Sequence, residues 1–183
     1  MARSSDATIE IDVRKPVVGV VMGSDSDYPV VEACLVTLEE FDIPYDVRVM
    51  SAHRTPDRVH AYASTARLKG FKVLIAAAGG AAHLAGVLSS LTTLPVIGIP
   101  IQTPTLGGAD SLYSTVQMPA GVPVATVAIG KAGAKNAALL TTEILALSDE
   151  TLQARLQEYR ASMRRSVAAK SERLRQRVYE QSQ

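Results

Sequence analysis

The sequence predicts a doubly wound α/β domain, a parallel sheet with helices on both faces. Strand, polar loop and helix recur in that order about five times, the pattern that builds βαβ crossovers. The predicted strands are short, uninterrupted apolar runs, as expected of strands covered on both sides. No linker divides the repeat, and 183 residues is the size of one ordinary domain.

Taken in order, Val17 to Met22 is a β-branched run bounded by turn residues and reads as the first strand. A polar loop, Gly23-Ser24-Asp25-Ser26-Asp27, follows it. Val30, Val31, Cys34, Leu35, Leu38 and Phe41 then recur at helical spacing, with Ser26 or Asp27 placed to cap that helix. Asp46 to Met50 reads as the second strand and Ser51 to Thr55 as its loop. Pro56 suits the first turn of a second helix, which runs to about Leu68 and stops at Gly70. Lys72 to Ala77 is a third strand, followed by a glycine-rich loop and a helix near Ala82 to Leu91. Pro95 to Ile99 is a fourth strand, Val122 to Ala128 a fifth, and an Ala/Leu-rich helix covers about Ala132 to Leu147. The organisation is therefore a loose polar tail over 1–15, an α/β domain over 16–148 and a helical extension over 149–183.

The extension carries an apolar stripe, Leu152, Leu156, Tyr159, Met163 and Val167, on a helix starting near Asp149. Its other faces are rich in arginine. A basic helix raises nucleic acid as a partner. Glu150, Glu158, Glu172 and Glu180 are interspersed, however, which favours a solvated helix docked on its own or a neighbouring subunit.

Composition narrows the function. A net charge of +1 offers no electrostatic case for nucleic acid or an anionic membrane. One cysteine, Cys34, precludes an internal disulfide framework and reads as a small buried hydrophobe. No signal-peptide core and no run near the roughly 18 apolar residues of a membrane span is present, so a cytoplasmic location is expected.

In open parallel sheets, ligands bind beyond the carboxyl ends of the strands. The loops expected there are small and polar. Ser24 and Ser26 offer hydroxyls ahead of a helix N-terminus, which favours anions. Ser51 and Arg54 add a hydroxyl and a guanidinium fork. Together they suit a phosphate monoester. Asp27 suits a pair of sugar hydroxyls, or is a plain helix cap. Of three histidines, His60 falls within a helix and is expected at the surface. His83 opens another helix, where capping or loop packing competes with ligand contact. His53 lies beside Arg54 and is the natural proton carrier near neutral pH. There is no Gly-x-Ser-x-Gly elbow, no P-loop and no dinucleotide fingerprint, and the scattered histidines have no metal-ligand spacing.

Gly23 to Asp27, Ser51-Ala52-His53-Arg54-Thr55-Pro56-Asp57 and Ala78-Gly79-Gly80-Ala81-Ala82-His83-Leu84 are similar to the signatures of the N5-carboxyaminoimidazole ribonucleotide mutase family, the catalytic subunit of the phosphoribosylaminoimidazole carboxylase system. Asp110 to Ser114, Gln117-Met118-Pro119 and Ala128 to Gly133 continue the resemblance, which runs from about Val17 to Leu147. Ala85 departs from it where the family often has proline, which loosens that turn and leaves the function intact. The resemblance implies a flavodoxin-like three-layer sandwich, a homo-octamer and no cofactor or metal. It implies purine biosynthesis, with the carboxylate moving from the exocyclic amine of a ribonucleotide monophosphate to ring carbon C4. It further implies coupling to the ATP-dependent synthetase that N-carboxylates the ribonucleotide. On this chain it assigns phosphate and ribose to Ser24, Asp27, Ser51 and Arg54, proton transfer to His53, and the carboxylate pocket to Gly79, Gly80, Ala81, Ala82, His83 and Leu84. Two alternatives stand beside it. One is the animal-type carboxylase that uses free carbon dioxide, in which lysine commonly stands where this chain has Arg54. The other is an FMN-binding module, for which the strand-end loops offer only Tyr28 and Tyr113 as stacking rings.

Overall fold

The computed structural model describes residues 15–181, so the tail expected over 1–15 lies outside the described residues apart from Lys15. The elements are β1 (Val18–Met22), a single 3-10 turn (Asp25–Asp27), α1 (Tyr28–Glu40), β2 (Tyr45–Val49), α2 (Pro56–Ala66), β3 (Val73–Gly79), α3 (Leu84–Leu91), β4 (Val96–Ile101), α4 (Ala109–Val116), β5 (Ala125–Thr126), α5 (Lys131–Ala146) and α6 (Glu150–Glu180). All strand pairs are parallel, in the order β2-β1-β3-β4-β5. That is the flavodoxin-like order, with its switch point between β1 and β3.

Alternation along the strands divides the core. Val18, Val20 and Met22 of β1, with Val73, Ile75 and Ala77 of β3, face one layer, where Val31, Cys34 and Leu38 of α1 meet Ala134, Ala137 and Ala138 of α5. Val21, Leu74 and Ala76 face the opposite layer, against Val59 and Ala63 of α2 and Leu84, Ala85 and Leu88 of α3. Each fully buried Val, Leu or Ile contributes roughly 1.5–3 kcal/mol. Cys34 is fully buried, and desolvation pushes its thiol up to about 12. It behaves as the small hydrophobe the sequence suggests.

Gly19 is required by close approach. A Cβ there would stand 2.5 Å from Tyr62 Oη and 2.7 Å from Leu74 Cδ2. The space admits the Tyr62 ring, whose hydroxyl donates to Asp46 on β2 at 3.2 Å.

Four local expectations are corrected. The fifth strand covers only Ala125–Thr126 and pairs with Ile97 and Gly98, because the flanking chain leaves the ladder after two residues. α4, Ala109–Val116, occupies a stretch for which no helix is expected. Its buried residues are hydroxyl-bearing, Ser111 and Thr115. α2 ends at Ala66, and the chain reaches Gly70, at φ 95°, through turns. Asp27 occupies the cap position of α1, but its side chain accepts no helix N–H. Ser24 instead caps the 3-10 turn by accepting from the Ser26 N–H at 3.3 Å.

α6 begins where the sequence places it. Asp149 accepts from the N–H groups of Thr151 and Leu152, both at 3.0 Å, which closes the first turn. Leu152, Leu156 and Tyr159 pack against the α1/α5 layer of the same chain, and Tyr159 meets Phe41 with ring centroids 5.7 Å apart. The stripe then runs on through exposed Met163, Val167 and Leu174. Among the described residues no helix is long and apolar enough to cross a membrane.

Candidate active site

The loops after β1, β2 and β3 meet at the switch point around a cleft of about 370 Å³. Its polar side is built from two loops. The β1 loop turns sharply through the 3-10 turn, where Ser26 Oγ donates to Ser24 Oγ at 2.8 Å. The β2 loop is folded by its own hydroxyls. Ser51 Oγ accepts from the N–H groups of His53 at 3.3 Å and Arg54 at 3.2 Å. Thr55 Oγ1 accepts from the Ser51 N–H at 2.9 Å. Arg54 then crosses between the loops and donates to the Gly23 carbonyl at 2.8 Å. A guanidinium, three hydroxyls and a carboxylate therefore share one wall.

The carboxylate is Asp27, only 8% exposed. Burial raises its pKa above the ordinary value, opposed by a backbone hydrogen bond at Ser24 and by the charge of Arg54. Since Asp27 caps nothing, the cap reading fails, and a buried carboxylate at the cleft wall is what remains.

His53 stands exposed at the rim. Its Nε2 lies 2.9 Å from His83 Nδ1, with the rings edge to face at 82°. His83 occupies the cap position of α3 without capping it, so its side chain serves His53 and not the helix. Nε2 of His53 is thus the ring nitrogen engaged by His83. His60 is exposed on α2 and does not line the cleft.

The opposite wall is apolar, formed by Ala78, Gly79, Ala81 and Leu84. Of the residues expected there, Gly80, Ala82 and His83 are not part of the lining. Gly80 and Ala82 turn their N–H groups to Ser111 Oγ and Ser114 Oγ of α4, at 2.9 and 3.0 Å. Ala85 is the second residue of α3, a first-turn position that also admits proline, so the departure leaves the helix start in place. Asp110 to Ser114 belongs to the family resemblance, but the resemblance gives it no role in the site. The serine spacing was the available signal, and its meaning depends on a contact 31 residues away. Among the described residues no tyrosine or phenylalanine lines the cleft to stack on a flavin. Among the described residues no three His, Cys, Asp or Glu side chains converge as a metal site.

Known proteins resemble the chain over most of its length. The family model described as AIR carboxylase matches residues 17–166. The chain is 54% identical over 167 residues to the N5-carboxyaminoimidazole ribonucleotide mutase of Synechocystis, covering 90% of this chain and 94% of that one. It is 52% identical over 160 residues to the Bacillus subtilis mutase, covering 87% and 99%. The crystal structure of Treponema denticola PurE superposes with a TM-score of 0.79 at 31% identity, covering 87% of this chain and 98% of that one.

Proposed function

The chain belongs to the AIR carboxylase family, and from that premise we propose that it is an N5-carboxyaminoimidazole ribonucleotide mutase, an isomerase of de novo purine biosynthesis. The observation that carries the reading is the convergence in one cleft of Arg54 with the serine hydroxyls, of His53, and of a wall of small apolar residues.

Arg54, Ser24 and Ser51 hold the phosphate, since a guanidinium with hydroxyl donors matches its oxygens. Asp27 accepts hydrogen bonds from two ribose hydroxyls. His53 in its cationic form gives a proton to the carbamate nitrogen, and the N–C bond breaks to release carbon dioxide. The apolar wall keeps that molecule beside C4. C4 then attacks it, and neutral His53 removes the C4 proton as the ring regains aromaticity. The proton given in the first step is recovered in the last, so the cycle needs no net acid, metal or redox cofactor. The substrate is a carbamate and decarboxylates readily in water, which favours function alongside the ATP-dependent synthetase that makes it. The working assembly is a homo-octamer in the cytoplasm.

Arg54, in place of the lysine associated with the free-carbon-dioxide enzymes, supports the mutase over the carboxylase. The test offers two substrates separately at low bicarbonate. Fast conversion of the N-carboxylated ribonucleotide, with the uncarboxylated one nearly inert, is expected. The reverse preference would overturn the assignment. His53→Asn should lower turnover by at least about 10²–10⁴-fold while ligand binding survives; a near wild-type rate would remove His53 from its role.

A further inference from the structure

The wall expected to retain carbon dioxide is a loop, and a loop has no ladder of its own to hold it. Between β3 and α3 the chain turns through Gly80 at φ 67°, and the backbone groups of this stretch find partners elsewhere. They find them on α4. Ser111 Oγ accepts from the Gly80 N–H at 2.9 Å and donates to the Ile101 carbonyl at 2.6 Å, and the side chain is fully buried. Ser114 Oγ accepts from the Ala82 N–H at 3.0 Å. Its own proton lies within reach of the Gly80 carbonyl at 3.0 Å and the Asp110 carbonyl at 2.7 Å. Thr115 Oγ1 bonds the Ser111 carbonyl at 2.7 Å and closes the row.

The consequence is an alternation in the loop. Gly80 and Ala82 are drawn toward α4, and Ala81 between them is presented to the cleft. α4 itself lines none of the cleft.

We propose that Ser114, supported by Ser111, is a positioning residue that keeps the Gly79–Leu84 wall closed over released carbon dioxide, so that the molecule is recaptured and does not escape. The proposal rests on the mutase reading. Carbon dioxide carries no charge and accepts only weak hydrogen bonds, so its retention depends on the shape of the wall and not on a directed bond. A wall displaced by about an ångström is enough to alter such a step. Ser114→Ala leaves the Ala82 N–H to a single acceptor, the Gly80 carbonyl at 2.8 Å, and leaves Ala82 tied to α4 only by the longer bond that Thr115 Oγ1 donates to its carbonyl at 3.4 Å.

The readout is a partition ratio. The full-length enzyme is given the N-carboxylated ribonucleotide in carbon-dioxide-depleted buffer. Uncarboxylated ribonucleotide and C4-carboxylated product are both quantified, with spontaneous decarboxylation subtracted from an enzyme-free control. The wild type should yield almost entirely the C4 product. Ser114→Ala should raise the uncarboxylated fraction roughly tenfold, the scale of one lost hydrogen bond. Ser114→Thr, which retains the hydroxyl, should restore the ratio. Because the ratio counts fates per turnover, a smaller folded fraction does not change it, and a merely structural role leaves it at the wild-type value. That result would overturn the proposal. If Ser114→Ala does not fold, Ser114→Cys keeps the volume with a poor acceptor, and an unchanged ratio there is equally decisive. A wild type that forms no C4 product would instead sink the mutase reading itself.

Discussion

Asp27 is held where burial disfavours its charge. Its carboxyl is buried, and desolvation raises its pKa above the usual 3.8. The folded state therefore holds this proton more tightly than the unfolded chain does. Stability from this group is fullest below the unfolded pKa and is lost as pH rises through the higher folded one. At neutral pH the ionised side chain therefore costs stability, a cost that the proposed contact with the ribose would account for. Asp27→Asn should raise the melting temperature by a few degrees at neutral pH and by less near pH 4, while weakening the ribonucleotide. Melting curves at the two pH values check this; a variant less stable than wild type at neutral pH would contradict it. Arg54 is the opposite case, since it is exposed at the rim and its loss leaves no cavity. Arg54→Ala should weaken binding of a ribonucleotide monophosphate about 10–100-fold, the scale of a charge-assisted hydrogen bond, with the melting temperature little changed. Calorimetry showing unaltered affinity would move the phosphate site elsewhere. The placement of both residues, and of His53, at the cleft was legible in the sequence, because strand-end loops of a parallel sheet are where ligands bind.

At the scale of elements, capping and close packing permit sharper expectations. Asp149 holds the second and third N–H groups of α6, a helix of 31 residues. Asp149→Ala should destabilise the chain by about 1 kcal/mol, read by chemical denaturation; no measurable change would mean that packing of Leu152 and Leu156 alone sets the helix start. Gly19→Ala should cost more, about 1–3 kcal/mol, because Tyr62 Oη or Leu74 would have to move. The long elements could be read directly. β1 and β3 are apolar runs, and α1 shows a clear stripe. α4 could not, because its inward residues are Ser111 and Thr115, which carry no hydrophobic period. β5 was overestimated for the converse reason. Val122 to Ala128 is apolar enough for a strand, but the ladder with β4 closes after Gly98 and Thr126.

For the whole molecule, the exposed continuation of the α6 stripe through Met163, Val167 and Leu174 bears on assembly. The family model ends at residue 166, so the distal part of this helix is additional to it. Light scattering should report about eight chain masses at micromolar concentration. A monomer there would refute the octamer.

The sequence by itself determined the parallel α/β plan, the three loops that form the cleft, and the identity of its polar groups. Those follow from local pattern: apolar period, turn residues and the chemistry of side chains near one another in the chain. Tertiary structure alone decided the β2-β1-β3-β4-β5 order, the pairing of His53 with His83, and the attachment of Gly80 and Ala82 to α4. Each is a contact between residues some thirty positions apart or a choice among permitted strand orders. Local sequence does not encode such distances; they are selected when the two faces of the sheet are buried together.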